Sequence, residues 1–162
     1  MSNEIERKFF VKNMPDLSGI EPLHYERYFL ERKDGIEVRI SKVNDTYKYE
    51  KKVELSNLER TREKREISKE EFDELKKNAS ESVLRDRYNI SFNPDITIQI
   101  YHGRFEGLVR AEVEFMTEEE ARSFTPLEWM GEEMTGLSIA RDGKLIDLSD
   151  EEFRGFLLNR AV

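Results

Sequence analysis

The sequence predicts an antiparallel-rich α+β fold of roughly eight strands and three helices, and three observations carry that expectation. Charged and apolar residues alternate along several short segments, the period-two signature of strands. Turn residues such as Lys33-Asp34-Gly35 and Asn44-Asp45 separate those segments closely, as hairpins require. Three segments open with a hydroxyl residue followed three positions later by glutamate, the capping box that starts a helix.

The opening stretch, Asn3-Glu4-Ile5-Glu6-Arg7-Lys8-Phe9-Phe10-Val11, reads as a strand. Side chains of a strand alternate between faces, so Glu4, Glu6 and Lys8 share one face, about 7 Å from one to the next. Ile5, Arg7, Phe9 and Val11 share the other, which suits packing under helices. Residues 13–22 read as a loop with two prolines and one glycine. Tyr25 to Glu31 and Ile36 to Lys42 flank the Asp34-Gly35 turn as a hairpin, and Thr46 to Glu54 follows as a lysine-rich strand. Leu55 to Arg60 is a polar connection before the charged strand Thr61 to Ile67.

The helix starts are Ser68-Lys69-Glu70-Glu71, Thr117-Glu118-Glu119-Glu120 and Ser149-Asp150-Glu151-Glu152. They lead into Phe72 and Leu75, into Ala121 and Phe124, and into Phe153, Phe156 and Leu157, so each helix has an apolar stripe to lay on the outside of a sheet. Between them Val83 to Ser91, Ile96 to Tyr101 and Leu108 to Phe115 read as strands, with Gly103 to Gly107 as a hairpin connection. No linker, repeat or low-complexity tract interrupts the chain, so residues 1–162 are expected to form a single domain.

Charged faces recur. Arg85 and Arg87 share one face of their strand; Arg62, Lys64 and Glu66 share another. Glu112 and Glu114 stand opposite the apolar Ala111, Val113 and Phe115. The helix that follows Phe115 must cover the apolar side, which leaves the glutamates facing away from it. Charge gathered on enclosed faces is costly unless it is paired or binds something. Carboxylates without thiolates suit a hard cation such as Mg²⁺ or Mn²⁺, and arginine with lysine suits phosphate. The two sets together fit a metal-bound polyphosphate.

Bulk composition narrows the alternatives. A net charge of −8 argues against nucleic acid and against an anionic membrane, and no apolar run is long enough to span a bilayer. The absence of cysteine excludes disulfides, and two histidines are too few for a histidine-built metal site. His24 and His102 read as structural or exposed, and Trp129 with Met130 as a packing plug. A cytoplasmic monomer or homodimer is the expectation.

Glu4-x-Glu6-x-Lys8, Gly107-Leu108-x-x-Ala111-Glu112-Val113-Glu114-Phe115 and Trp129-Met130-Gly131-x-Glu133-Met134-Thr135 together resemble the CYTH family, part of the triphosphate tunnel metalloenzymes. The resemblance runs over about residues 2–135. It implies a closed eight-stranded antiparallel barrel, a tunnel lined with charge, with about three helices packed outside. It further implies that Glu4, Glu6, Glu112 and Glu114 hold Mg²⁺ or Mn²⁺, and that Lys8, Arg39, Lys51, Arg62, Arg85 and Arg87 grip a triphosphate. Glu66 and Glu133 take supporting roles, Glu133 covering or orienting the basic side. Tyr28 and Lys51 align with a pair that activates water, with Lys48 and Lys52 as neighbouring alternatives to Lys51. Four positions depart from the family pattern: Ser41 replaces a cation, Lys64 an acid, and Thr97 and Gln99 two further acids.

The function this implies is metal-dependent hydrolysis of a triphosphate, foremost inorganic tripolyphosphate. Alternatives are cyclisation of ATP as in adenylate cyclases of the family, hydrolysis of thiamine triphosphate, and a tunnel that binds polyphosphate or nucleotide with little turnover.

Overall fold

The computed structural model describes residues 5–55 and 60–160. They fall into two compact units: one comprises the chain up to Pro22 and from Asp86 onward, the other Leu23–Arg85.

The second of these begins with β2 (Leu23–Lys33), β3 (Ile36–Val43), β4 (Thr46–Glu54) and β5 (Arg60–Ile67), following β1 (Ile5–Val11) of the first. The four strands form an antiparallel meander in the order β5-β4-β3-β2. Its first turn is the expected two-residue hairpin: Lys33 pairs Ile36, and Asp34 and Gly35 take φ of 54° and 77°. A Cβ at Gly35 would meet the Glu54 carbonyl oxygen at 3.2 Å, so both the conformation and the space favour glycine. β2 carries a bulge: Phe29 pairs Arg39 and Glu31 pairs Val38, leaving Leu30 as an extra residue. On one face Tyr28, Leu30, Ile40, Tyr47, Tyr49 and Ile67 pack under Phe72 and Leu75 of α1 (Lys69–Lys76). Burying that apolar face fixes which way every other residue of the sheet points.

β6 (Glu81–Ser91) carries the chain from the second unit into the first. The first unit holds β1, β7 (Asp95–His102), β8 (Val109–Phe115) and β9 (Met130–Glu133), antiparallel in the order β7-β8-β1-β9. Its core is Phe9, Ile96, Ala111, Val113, Phe115 and Met130, covered by Ala121 and Phe124 from and just beyond α2 (Glu118–Ser123). Trp129 packs against the same core, the plug expected of it. The short α3 (Asp142–Leu145) and the longer α4 (Asp150–Arg160) complete the chain.

All three expected helices are N-capped by the expected hydroxyls, and the box at Ser149 closes in both directions. Ser68 and Thr117 accept from the backbone of Glu71 and Glu120 at 3.1 Å. Ser149 and Glu152 exchange reciprocal bonds of 3.0 Å. No described helix is long and apolar enough to cross a membrane.

The antiparallel α+β class is as expected; its details are not. There are nine described strands, because the segment around Gly131 forms β9, and the single turn α3 adds a fourth α-helix. Neither unit's run of strands returns to its own start, and the order is open among the described residues rather than closed as an eight-stranded barrel. β9 reaches the sheet because β1, with β8 on one side, still offers its other edge at Phe9 and Val11.

Candidate active site

In the first unit the ladder sets the charged residues rung by rung. Glu6 pairs Glu114 and Lys8 pairs Glu112 across β1 and β8. β7 adds Asp95 opposite Glu114, Thr97 opposite Glu112 and Gln99 opposite Arg110. Directly opposed residues lie on one face. That face therefore carries Glu6, Lys8, Asp95, Thr97, Gln99, Arg110, Glu112 and Glu114, with Phe10 opposite Arg110, and is turned away from the core under α2.

Its charges are interlocked. The Lys8 ammonium lies 3.3 Å from Glu6 Oε1 and 3.7 Å from Glu112 Oε1, and donates to the Ala140 carbonyl at 2.8 Å. Arg110 Nη2 donates to the same Glu112 oxygen at 2.8 Å and approaches Asp142 Oδ1 at 3.8 Å. Gln99 Nε2 donates to Glu112 Oε2 at 3.4 Å and to Thr97 Oγ1 at 3.3 Å. Tyr101 donates its hydroxyl to Asp142 Oδ1 at 2.7 Å. Arg110 is 3% exposed; burial opposes its charge, yet Tyr101, Glu112 and Asp142 outweigh it and hold the guanidinium above the ordinary arginine value. Its Nε and Nη1 have no hydrogen-bond partner among the described residues.

Whether these residues fit a divalent metal divides along the ladder. Glu6 and Glu114 face each other on one rung with Asp95 beside them, an all-oxygen set of the kind Mg²⁺ and Mn²⁺ take. Glu112 is engaged more fully than Glu6: Arg110 and Lys8 share one of its oxygens and Gln99 takes the other, whereas Glu6 has Lys8 at 3.3 Å. Among the described residues no three carboxylates or imidazoles converge as a ready-made cage. Glu4 lies outside the described residues.

In the second unit Arg27 pairs Ser41, Ser41 pairs Lys48 and Lys48 pairs Glu66. On the next rung Arg39 pairs Glu50 and Glu50 pairs Lys64; on the next, Glu37 pairs Lys52 and Lys52 pairs Arg62. This face lies opposite the core under α1 and is predominantly basic. Arg39 sends Nε and Nη2 to one oxygen of Glu50, at 3.1 and 3.0 Å, and Arg62 Nη1 approaches the other at 3.9 Å. The Arg85 guanidinium lies 4.4 Å from the centroid of the Tyr25 ring, a residue of the same β2 face as Arg27.

No family model matches the chain. A curated protein, the inorganic triphosphatase of Nitrosomonas europaea, is 33% identical over 138 residues, which cover 82% of this chain and 89% of that protein. This chain belongs to the CYTH superfamily. Among solved structures, one described as an inorganic triphosphatase superposes with a TM-score of 0.75 at 27% identity, covering 90% of this chain and 95% of its own. A putative adenylate cyclase from Bacillus halodurans has the fold at a TM-score of 0.51 and 16% identity, covering 78% of this chain and 94% of its own.

For a CYTH protein, several expected residues stand elsewhere. Lys51 lies on the apolar face of β4 with Tyr47, Tyr49 and Val53, because alternation puts Lys48, Glu50 and Lys52 on the basic one. Tyr28 is likewise under α1. Its ring meets Phe72 edge-on at 5.8 Å, its hydroxyl donates to Glu26 at 2.7 Å, and burial followed by that bond raises the phenol above its ordinary value. The pair expected to activate water is thus on the face opposite Arg39 and Arg62. Glu133 is not beside basic residues of the charged face either. It binds Arg7 at 2.6 and 3.1 Å on the apolar side, where Arg7 also donates to the Ala121 and Phe124 carbonyls at the end of α2. The Arg7 bond draws the Glu133 carboxyl below its ordinary range.

The remaining expected positions fall on charged faces: Glu6, Lys8, Glu112 and Glu114 in the first unit, Arg39, Arg62 and Glu66 in the second. Arg87 is half-buried in the part of β6 that belongs to the first unit, two positions from Asn89 and on the opposite side from Ile90, which packs on the core. Sequence reasoning passed over Glu50, Asp95 and Arg110. Simple alternation with Lys48 and Lys52, with Thr97, and with Glu112 places each of them. Asp142 has no such signal, since it opens a single helical turn outside the strands.

Proposed function

We propose that this CYTH protein hydrolyses inorganic triphosphate with the help of Mg²⁺ or Mn²⁺. The observation that carries the proposal is the 33% identity to an inorganic triphosphatase over most of both chains. The charged ladders support it, since they offer carboxylates in one unit and a basic face in the other.

Glu6 and Glu114 are the residues suited to hold the metal, with Glu4 as a further ligand by family resemblance. A bound divalent ion supplies charge neutralisation of the phosphate oxygens and polarises the phosphorus toward attack. By family resemblance Arg39, Arg62, Arg85, Arg87 and Lys8 are the phosphate-binding residues, arginine through its planar fork and lysine as a point charge. Lys48 and Lys52 take the place assigned to Lys51, and Glu66 keeps its supporting role beside Lys48. Held in line, the terminal phosphorus accepts the oxygen of a water molecule. The bridging P–O bond then breaks, pyrophosphate leaves with its electron pair, and the proton lost by the water passes to solvent as orthophosphate forms.

The test is incubation with tripolyphosphate, ATP and thiamine triphosphate, each with Mg²⁺ or Mn²⁺. Orthophosphate from tripolyphosphate is the expected product; cyclic AMP from ATP would move the activity to the cyclase alternative. A second reading, triphosphate binding with slow turnover, is favoured by one specific observation. Glu112 is already neutralised by Arg110 and Lys8, and its neighbours Thr97 and Gln99 carry no charge.

A further inference from the structure

We propose that Glu50 is an internal competitor for the phosphate-binding arginines of the second unit, a carboxylate that triphosphate must displace and that helps the product leave. The inference rests on the proposed triphosphatase reading and concerns a residue to which that reading gives no role.

Glu50 sits at the middle of β4 with Arg39 directly across on one side and Lys64 directly across on the other. Arg39 turns two donors onto a single oxygen of Glu50, and Arg62 comes within 3.9 Å of the second oxygen. Burial raises the Glu50 carboxyl, but the charge and hydrogen bonds of Arg39, then the charges of Lys64 and Arg27, together bring it below its ordinary range. Four cations therefore serve one carboxylate. With its side chain 18% exposed, Glu50 is screened little by solvent.

The donors that hold a carboxylate are those that hold a phosphoryl group, since both present oxygens that match the guanidinium fork. A phosphoryl group at Arg39 would meet Glu50 as a like charge on the same donors, and one of the two must give way. An anion gains entry only in proportion to the charge it brings. The cost of displacing Glu50 falls on substrate and products alike, so pyrophosphate and orthophosphate, with fewer oxygens to spread over the basic face, are held weakly. A face built of cations alone would bind all of them and release none quickly.

Calorimetric titration of tripolyphosphate and of pyrophosphate in chelator, with Glu50→Gln and Glu50→Asp beside the wild type, tests this. Glutamine keeps an oxygen for Arg39 and loses only the charge, so both ligands should bind on the order of tenfold more tightly. In turnover assays KM for tripolyphosphate and the inhibition constant of pyrophosphate should fall together. Glu50→Asp keeps the charge and should stay near the wild type. If Glu50 only props Arg39 in place, Glu50→Gln leaves affinity unchanged or weakens it, and the proposal is overturned while the triphosphatase reading stands. No binding in chelator by any of the three proteins overturns the proposal alone if they turn over tripolyphosphate with Mg²⁺, and both readings if they do not. Should Glu50→Gln not fold, as checked by thermal melting, Glu50→Thr removes the charge with a strand-forming side chain. The same tightening is expected of it, and weakened binding overturns the proposal.

Discussion

Arg110 offers the sharpest test of the interlocked face. Replacing it with leucine leaves an apolar chain of similar reach and strips the cation from Glu112 and from Asp142, whose side chain is 2% exposed. Removing one partner of a buried ion pair costs about 3–5 kcal/mol, because the remaining charge stays in a poor solvent. Two facts favour the lower end. Tyr101 keeps its hydrogen bond to Asp142, and Lys8 still faces Glu112. We therefore expect Arg110→Leu to lose about 3 kcal/mol in urea unfolding and roughly 6–12 °C in Tm. In the double variant Arg110→Leu/Asp142→Asn part of the loss should return, since the orphaned charge is gone. A loss below about 1 kcal/mol, the scale of an exposed ion pair, would refute the idea that this guanidinium holds the face together.

Other expectations follow from the placement of single side chains. Lys52→Ala should raise KM for tripolyphosphate by about tenfold, a charge-assisted contact's worth, while Lys51→Ala changes it less than about twofold; the reverse order would return the role to Lys51. Glu114→Gln should weaken Mn²⁺ binding, followed by calorimetry without substrate, by at least about tenfold, and unchanged affinity would remove Glu114 from the ligands. Acid stability carries a sign that can be checked. The carboxyls of Glu50 and Glu133 are lowered from 4.5 in the folded protein, so the stability they contribute is complete above that value. It is lost as pH falls through the folded values, and a Tm profile from pH 7 to 3 should drop there, with a shallower drop in Arg7→Gln.

Local chemistry was legible in the sequence wherever one rule decided it. The hydroxyl caps at Ser68, Thr117 and Ser149 need only the right residue before the helix, and each formed. The faces of β1 and β8 followed from alternation, because Phe115 runs straight into a helix whose apolar side must be covered. Lys51 falls on the apolar side by the same rule: three lysines crowd β4, and only the pairing with Ile40 and Ile67 tells which of them lies under α1. Glu133 was unreadable for a different reason. Its partner Arg7 stands among apolar residues of β1, and nothing in sequence spacing reveals that a guanidinium there reaches two carbonyls of α2 and a glutamate 126 residues away. The C-terminal contribution of Asp142 depends on a chain path that no local pattern encodes.

The bulge in β2 has a consequence for how this strand tolerates gain and loss of residues. Counted in twos, Arg27 and Arg32 should point to opposite sides, yet Arg32 pairs Glu37 on the basic face, within 3.5 Å, and Arg27 pairs Ser41 there too. The extra residue Leu30 absorbs the odd step and goes to the apolar side. Within β2, Leu30 is thus the one position whose deletion leaves each ladder partner facing as it does now, at the expense of one packed leucine. A deletion of Tyr28 or Phe29 would instead send every residue before it through the sheet, putting Glu26 among the arginines and Arg27 under α1. Length variants of this strand that keep the basic face should therefore differ at Leu30.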